Sequence, residues 1–201
     1  MTDRTINILI VGVGGQGVIL ASELLSEAAM NAGFDVKKSE VHGMSQRGGV
    51  VSSHVRFGKK VHSPLIPDGA ADVVLAFEAA EGLRWAGSVA ENGLIVMNTQ
   101  RIIPPIAYTK EFDYPDDPVN ETRKIVKRVL PIDAVRLAQK AGTIKAVNVV
   151  LIGAISKELP ISREIWDANI RRRVPRGTED INLAAFQEGL DAVESMDQTT
   201  I

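Results

Sequence analysis

No cysteine occurs anywhere in the 201 residues. The chain therefore forms no disulfide, offers no thiolate nucleophile and supplies no sulfur to an iron–sulfur cluster. Histidine is scarce too: only His42, His54 and His62 are present, too few to favour a zinc site. Redox chemistry on this chain would need a bound organic cofactor or a second polypeptide. No apolar run approaches the roughly 20 residues that span a bilayer. The N-terminus "MTDRTINI" lacks a signal-peptide pattern, so the expectation is a cytoplasmic protein without a membrane partner. The formal net charge of -2 gives no general attraction to nucleic acid.

What is present fits an ordinary globular protein, with 45% hydrophobic and 24% charged residues. The length suits a single domain over residues 1–201 with a real core, and helices close the chain from about residue 147. The apolar run "INILIV" predicts a first strand, Ile6 to Val11. "VILASELLSEAAMNAG" follows with apolar residues at Ala21, Leu24, Leu25, Ala28 and Ala32, the stripe of a helix on a sheet, stopped by Gly33. "FDVKKSE" reads as a second strand and "VVSSHVRFG" as a half-buried third, with "FGKKV" a hairpin turn into "VHS". "ADVVLAF" is a continuous apolar run suited to a strand covered on both faces.

Beyond it the pattern predicts a helix over 78–90, a strand "GLIVMNT", and an irregular excursion over 101–122 with room for a short strand at "IAYT". A last strand "TRKIVKRVL" then leads to a helix with Pro131 in its first turn and Gly142 at its end. "VNVVLIGAISKEL", "SREIWDANIRRR" and "EDINLAAFQEGLDAVESM" read as helices, with Asn148, Ser162 and Thr178 as candidate caps. Alternating strands and helices predict an α/β, Rossmann-like fold: a mostly parallel sheet flanked by helices, with helices added at the C-terminus.

Two glycine clusters carry the functional signal. Gly12, Gly14 and Gly17 spell G-x-G-x-x-G between a predicted strand and a predicted helix. In that context glycine lets the backbone approach a ligand, and the helix N-terminus attracts a diphosphate. The bland reading is tight strand-to-helix packing. The second cluster, "HGMSQRGG", places His42, Ser45, Gln46 and Arg47 at the carboxyl end of the second strand, the edge where open α/β sheets bind ligands. The two loops should lie side by side. Arg47 suits a carboxylate or phosphate through its bidentate guanidinium, and a surface salt bridge is its plain alternative. Glu40 stands where an acid would hold the ribose of a dinucleotide, so an NAD(P)-binding Rossmann protein is one reading. A ligand-free assembly subunit is another. Arg171, Arg172, Arg173 and Arg176 could complement a helix C-terminus or an acidic partner surface.

"GVGGQGV", "SEVHGMSQRGG" and "NVVLIGAI" together resemble the gamma-type domain of the 2-oxoacid:ferredoxin oxidoreductase family, over about Ile6 to Val193. Within it, "HGMSQRGG" is most similar to the indolepyruvate branch. The resemblance implies a subunit without catalytic residues of its own, inactive alone, working beside a large alpha subunit that holds thiamine diphosphate and iron–sulfur clusters. It implies oxidative decarboxylation of a 2-oxoacid of the indolepyruvate or arylpyruvate class to acyl-coenzyme A, with ferredoxin reduced through the complex. It also assigns the ligand contacts to Gly12, Gly14, Gly15, Gln16 and Gly17 in the first loop and to His42, Ser45, Gln46 and Arg47 in the second. Coenzyme A or the rim of the thiamine site is the implied ligand.

Overall fold

The computed structural model describes residues 4–42, 49–103 and 114–197. Its six strands are β1 (Ile6–Val13), β2 (Asp35–His42), β3 (Val50–Gly58), β4 (Ala71–Ala76), β5 (Val89–Asn98) and β6 (Arg128–Ile132). They form one sheet in the order β2-β3-β1-β4-β5-β6. Strands β1, β4, β5 and β6 run parallel, while β3 lies antiparallel between β1 and β2.

Apolar residues occupy both faces of the central strands. Ile8, Ile10, Val73, Leu75, Leu94 and Val96 pack on one side, and Leu9, Val11, Val74, Ala76, Ile95 and Met97 on the other. That double burial is why these strands read as continuous apolar runs. The first face is covered by α1 (Val18–Asn31), α4 (Ala134–Ala141), α5 (Val147–Ile155), α6 (Arg163–Arg173) and α7 (Glu179–Asp197). The second is covered by the short α2 (Ala79–Arg84) and α3 (Pro118–Arg123). Helices on both faces of a mostly parallel sheet match the expected fold class.

Helices α5 and α7 meet backbone to backbone at two glycines. A Cβ at Gly153 would overlap the carbonyl of Phe186, and one at Gly189 would overlap the carbonyl of Val150. Trp166 of α6 packs on Phe186 beside this crossing, with ring centroids 5.7 Å apart.

Several local expectations are corrected. No hairpin follows β3, because β1 and β2 already fill both of its edges. The chain leaves Gly58 instead, and the Val61 N–H donates to Asp35 at 2.8 Å. The helix expected over 78–90 stops at Arg84, and β5 begins at Val89. Part of the expected last strand is α3, where Asp117 accepts from the Asn120 N–H at 3.1 Å and Pro118 takes the first turn. This is the Asp-Pro start signal of a helix. Pro131 lies within β6, an edge strand that tolerates its missing N–H, and Asp133 caps α4 instead. Ser162 precedes α6 but its side chain does not bond the helix amides. The "IAYT" expectation lies outside the described residues.

Candidate functional site

At the carboxyl end of β1 the chain turns through Gly12–Gly17 into α1. Gly12 has no room for a side chain: a Cβ there would stand 2.8 Å from Phe77 Cβ and 2.9 Å from both Gln16 Oε1 and Val18 Cγ2. Gly17 caps α1 with φ 88°, a left-handed conformation natural only to glycine. The Gly14 N–H donates to the Gly49 carbonyl at 2.9 Å, so the returning end of the second glycine-rich loop does meet the first.

The turn lies where the chain order of the sheet reverses. Strand β1 leads through α1 on one face, and the neighbouring β4 leads through α2 on the other. Such a switch point opens a crevice outside the carboxyl ends of the strands. Gln16 braces that crevice. Its Oε1 accepts from the Val13 N–H at 2.7 Å, and its Nε2 donates to the Phe77 carbonyl, just past β4, at 2.9 Å. Asn98, fully buried at the end of β5, donates to the same carbonyl at 3.0 Å and accepts from the Ala134 N–H at 3.2 Å. Two carboxamides thus tie the ends of β1, β4 and β5 to the start of α4.

Glu78, also buried, fastens the adjoining loop. One carboxylate oxygen accepts from the Glu81 N–H at 2.9 Å, while the other accepts from the Ile102 N–H at 3.1 Å and from the Tyr114 hydroxyl. Burial, then the bond to Glu78, pushes the Tyr114 phenol far above its ordinary range. The Arg101 guanidinium lies 4.7 Å from the Tyr114 ring centre and donates to the Pro115 carbonyl at 3.1 Å. Sequence reasoning missed Glu78, Asn98 and Tyr114. The available signal was a polar residue placed directly after an apolar strand, as in "LAFE" and "IVMN".

Of the second-loop residues, His42 ends β2, where its backbone pairs with Val51. Ser45, Gln46 and Arg47 lie outside the described residues. Glu40 does not stand free for a ribose: Lys38 Nζ lies 2.7 Å from its Oε1, and the Ser22 hydroxyl donates to the same oxygen at 3.4 Å. The intervening β3 also sets Glu40 one strand further from β1 than a dinucleotide-binding acid would be. Arginines of the run pair with carboxylates of the chain itself. Arg173 pairs with Glu23 at 2.8 Å and with Glu27 at 3.2 Å, both on α1, and Arg171 pairs with Asp180 at 3.3 Å.

A cleft of about 530 Å³ lies at the opposite, amino-terminal end of the sheet. Its charges are held in ion pairs, Arg4 with Asp72, Arg128 with Glu158 and Lys157 with Glu194. Among the described residues no group of three or more acidic or histidine side chains could hold a metal ion. No helix among them is long and apolar enough to cross a membrane.

Residues 7–192 match the family model described as pyruvate ferredoxin/flavodoxin oxidoreductase. The chain is 43% identical over 188 residues to the indolepyruvate oxidoreductase subunit IorB of Archaeoglobus fulgidus, covering 92% of this chain and 93% of that one. It is likewise 43% identical to the IorB subunit of Thermococcus kodakarensis, over 94% and 96% of the two chains. Among solved structures, the gamma subunit of a keto/oxoacid ferredoxin oxidoreductase from Geobacter sulfurreducens superposes with a TM-score of 0.70 at 22% identity, covering 94% of this chain and 99% of that one. A 2-oxoglutarate:ferredoxin oxidoreductase from Magnetococcus marinus, solved with 2-oxoglutarate, coenzyme A and succinyl-CoA bound, gives 0.73 at 19% identity, over 96% of this chain and 32% of that one. These two likenesses speak to fold. Sequence kinship along nearly the whole chain speaks to descent, and the chain belongs to the pyruvate ferredoxin/flavodoxin oxidoreductase family.

Proposed function

We propose that this chain is the smaller subunit of a heteromeric indolepyruvate:ferredoxin oxidoreductase, acting as one gamma-type domain over residues 1–201 in the cytoplasm and inactive alone. The complex would decarboxylate an arylpyruvate-class 2-oxoacid oxidatively, pass the acyl group to coenzyme A and deliver the electrons to ferredoxin. The observation that carries this reading is the 43% identity to IorB subunits over more than nine-tenths of the chain. The iron–sulfur clusters are assigned to a large partner subunit, because a chain without cysteine has no sulfur donors for them, and thiamine diphosphate is assigned to the same subunit because the family resemblance implies it.

This chain's own contribution is binding and shaping. Gly12, Gly14 and Gln16 fix the shape of the turn, the amides of Gly15 and Gly17 are left to face the diphosphate of coenzyme A, and His42, Ser45, Gln46 and Arg47 extend that face. Exposed Ile19, Leu20, Val41 and Val50 border the same end of the sheet, and such an apolar rim supports coverage by another chain. A nicotinamide site finds no support in the engaged Glu40.

Co-expression with the large subunit tests the reading. The purified complex should reduce ferredoxin with indolepyruvate only when coenzyme A is supplied, and neither chain alone should turn over. Turnover by this chain alone, or no association between the two chains, would refute it.

A further inference from the structure

Strand β2 forms one edge of the sheet, and among the described residues only β3 pairs with it. It runs eight residues without proline or glycine, and its register with β3 continues unbroken from end to end. A long edge without bulges is a template for another strand unless its charges repel one. Here they balance. Lys37 pairs with Asp35 at 2.6 Å and Lys38 with Glu40 at 2.7 Å.

The order of those charges selects a partner. Val36, Lys38 and Glu40 share the face under α1, where Val36 packs on the core and Glu40 accepts from Ser22. Two copies of one strand pair antiparallel about a twofold axis normal to the sheet, which keeps both copies the same way up. Facing residues must then lie on one side of the pleat, so the register centres on a residue. Centred on Ser39, Lys38 faces Glu40 of the second copy, and Glu40 faces its Lys38. Four charges alternate around the axis, each beside the opposite sign along its own strand and across from it. Centring on Lys38 or on Glu40 instead would set like charges face to face, which destabilises a sheet.

We infer that β2 docks a second copy of this chain, β2 to β2 antiparallel about Ser39, joining the two sheets into one. The pairing rests on this strand alone. It stands or falls apart from the function proposed above, and it would make the complex a dimer of subunit pairs.

The absence of cysteine makes the test direct. Ser39→Cys introduces the chain's single thiol, and facing residues of antiparallel strands stand about 4.5–5.5 Å apart at Cα, within disulfide reach. Mild oxidation should link two copies of this chain, in its complex with the large subunit and alone, read as doubled mass under denaturing, non-reducing conditions. Lys127→Cys, exposed beside the opposite edge of the sheet, should link far less. In sedimentation, Lys38→Glu should weaken the association of copies about tenfold. Lys38→Glu combined with Glu40→Lys should restore it, which loss of fold would not allow. Linkage of copies at Ser39 in either form upholds the pairing. Linkage of Ser39→Cys to the large subunit instead would give the edge to that chain and overturn the inference. Equal linkage at the two positions, unchanged association in Lys38→Glu, or a single copy of this chain both alone and in the complex would also overturn it.

Discussion

Gly12 and Gly189 both stand where a methyl group has no room, yet they answer to different demands. At Gly189 the obstacle is the backbone carbonyl of Val150 on a rigid helix, with Gly153 in the same plight from the other side. At Gly12 the obstacles are the side chains of Phe77, Gln16 and Val18, and beyond them the amides of Val18, Ile19 and Leu20 find no acceptor among the described residues. The crossing uses glycine to bring two helices together. The turn uses it to leave donors uncovered. A motif advertises the second use, while a single glycine in "FQEGLD" carries no such notice.

The largest effect is expected from Gly189→Ala. Alanine gains about 1 kcal/mol in helix propensity. Forcing α5 and α7 apart should cost more, leaving a net loss of about 3 kcal/mol. For a chain of this length that lowers Tm by roughly 10 °C in a thermal melt. An unchanged Tm would break the comparison, because the crossing would then be slack.

Gly12→Ala should lose about 1–3 kcal/mol, since its neighbours are side chains that can shift. Unlike the α7 variant, it should also weaken coenzyme A binding in the complex by calorimetry. Gly15→Ala sharpens the contrast. Nothing lies within 4 Å of its Cβ, but φ is +99°. The expected loss is about 1–2 kcal/mol of backbone strain, read by urea unfolding, and Gly15→Asn should recover part of it.

The smallest effect belongs to the sheet alone. His54 on β3 pairs with Leu9 of β1, and its Nδ1 accepts from the Ile66 N–H at 3.2 Å. Burial, and then Arg56, hold its pKa below the ordinary 6.5. The unfolded chain therefore takes up the proton first as pH falls. The contribution is whole above the unfolded value of 6.5 and is lost as pH drops from there through the folded value. Melts between about pH 8 and pH 5 should show this decline, and His54→Gln should flatten it.

The strand-turn-helix unit at the N-terminus was legible because its hydrophobic pattern changes from a continuous run to a helical stripe at the glycines. Gly142 as a helix stop was legible for the same local reason. The place of β3 was not. Alternation of "VVSSHVRFG" declares a strand, but only long-range pairing decides that it enters between β1 and β2. Gln16 was legible as a residue of the glycine turn, though a sequence cannot say that its carboxamide is held by Val13 and Phe77. Asn148 reads as a cap because it stands at a helix start, and only the fold brings it against Gly17 from more than a hundred residues away.

Glu78 receives the Ile102 N–H and the Tyr114 hydroxyl on one oxygen, so the chain leaves the sheet and returns to it at a single carboxylate. In polymer terms the ring closed there is already cinched at its neck. The entropy of closing such a ring grows only with the logarithm of its length, about 0.6 kcal/mol for each doubling. Replacing Glu78 would transfer that entropic load to β5 and α3.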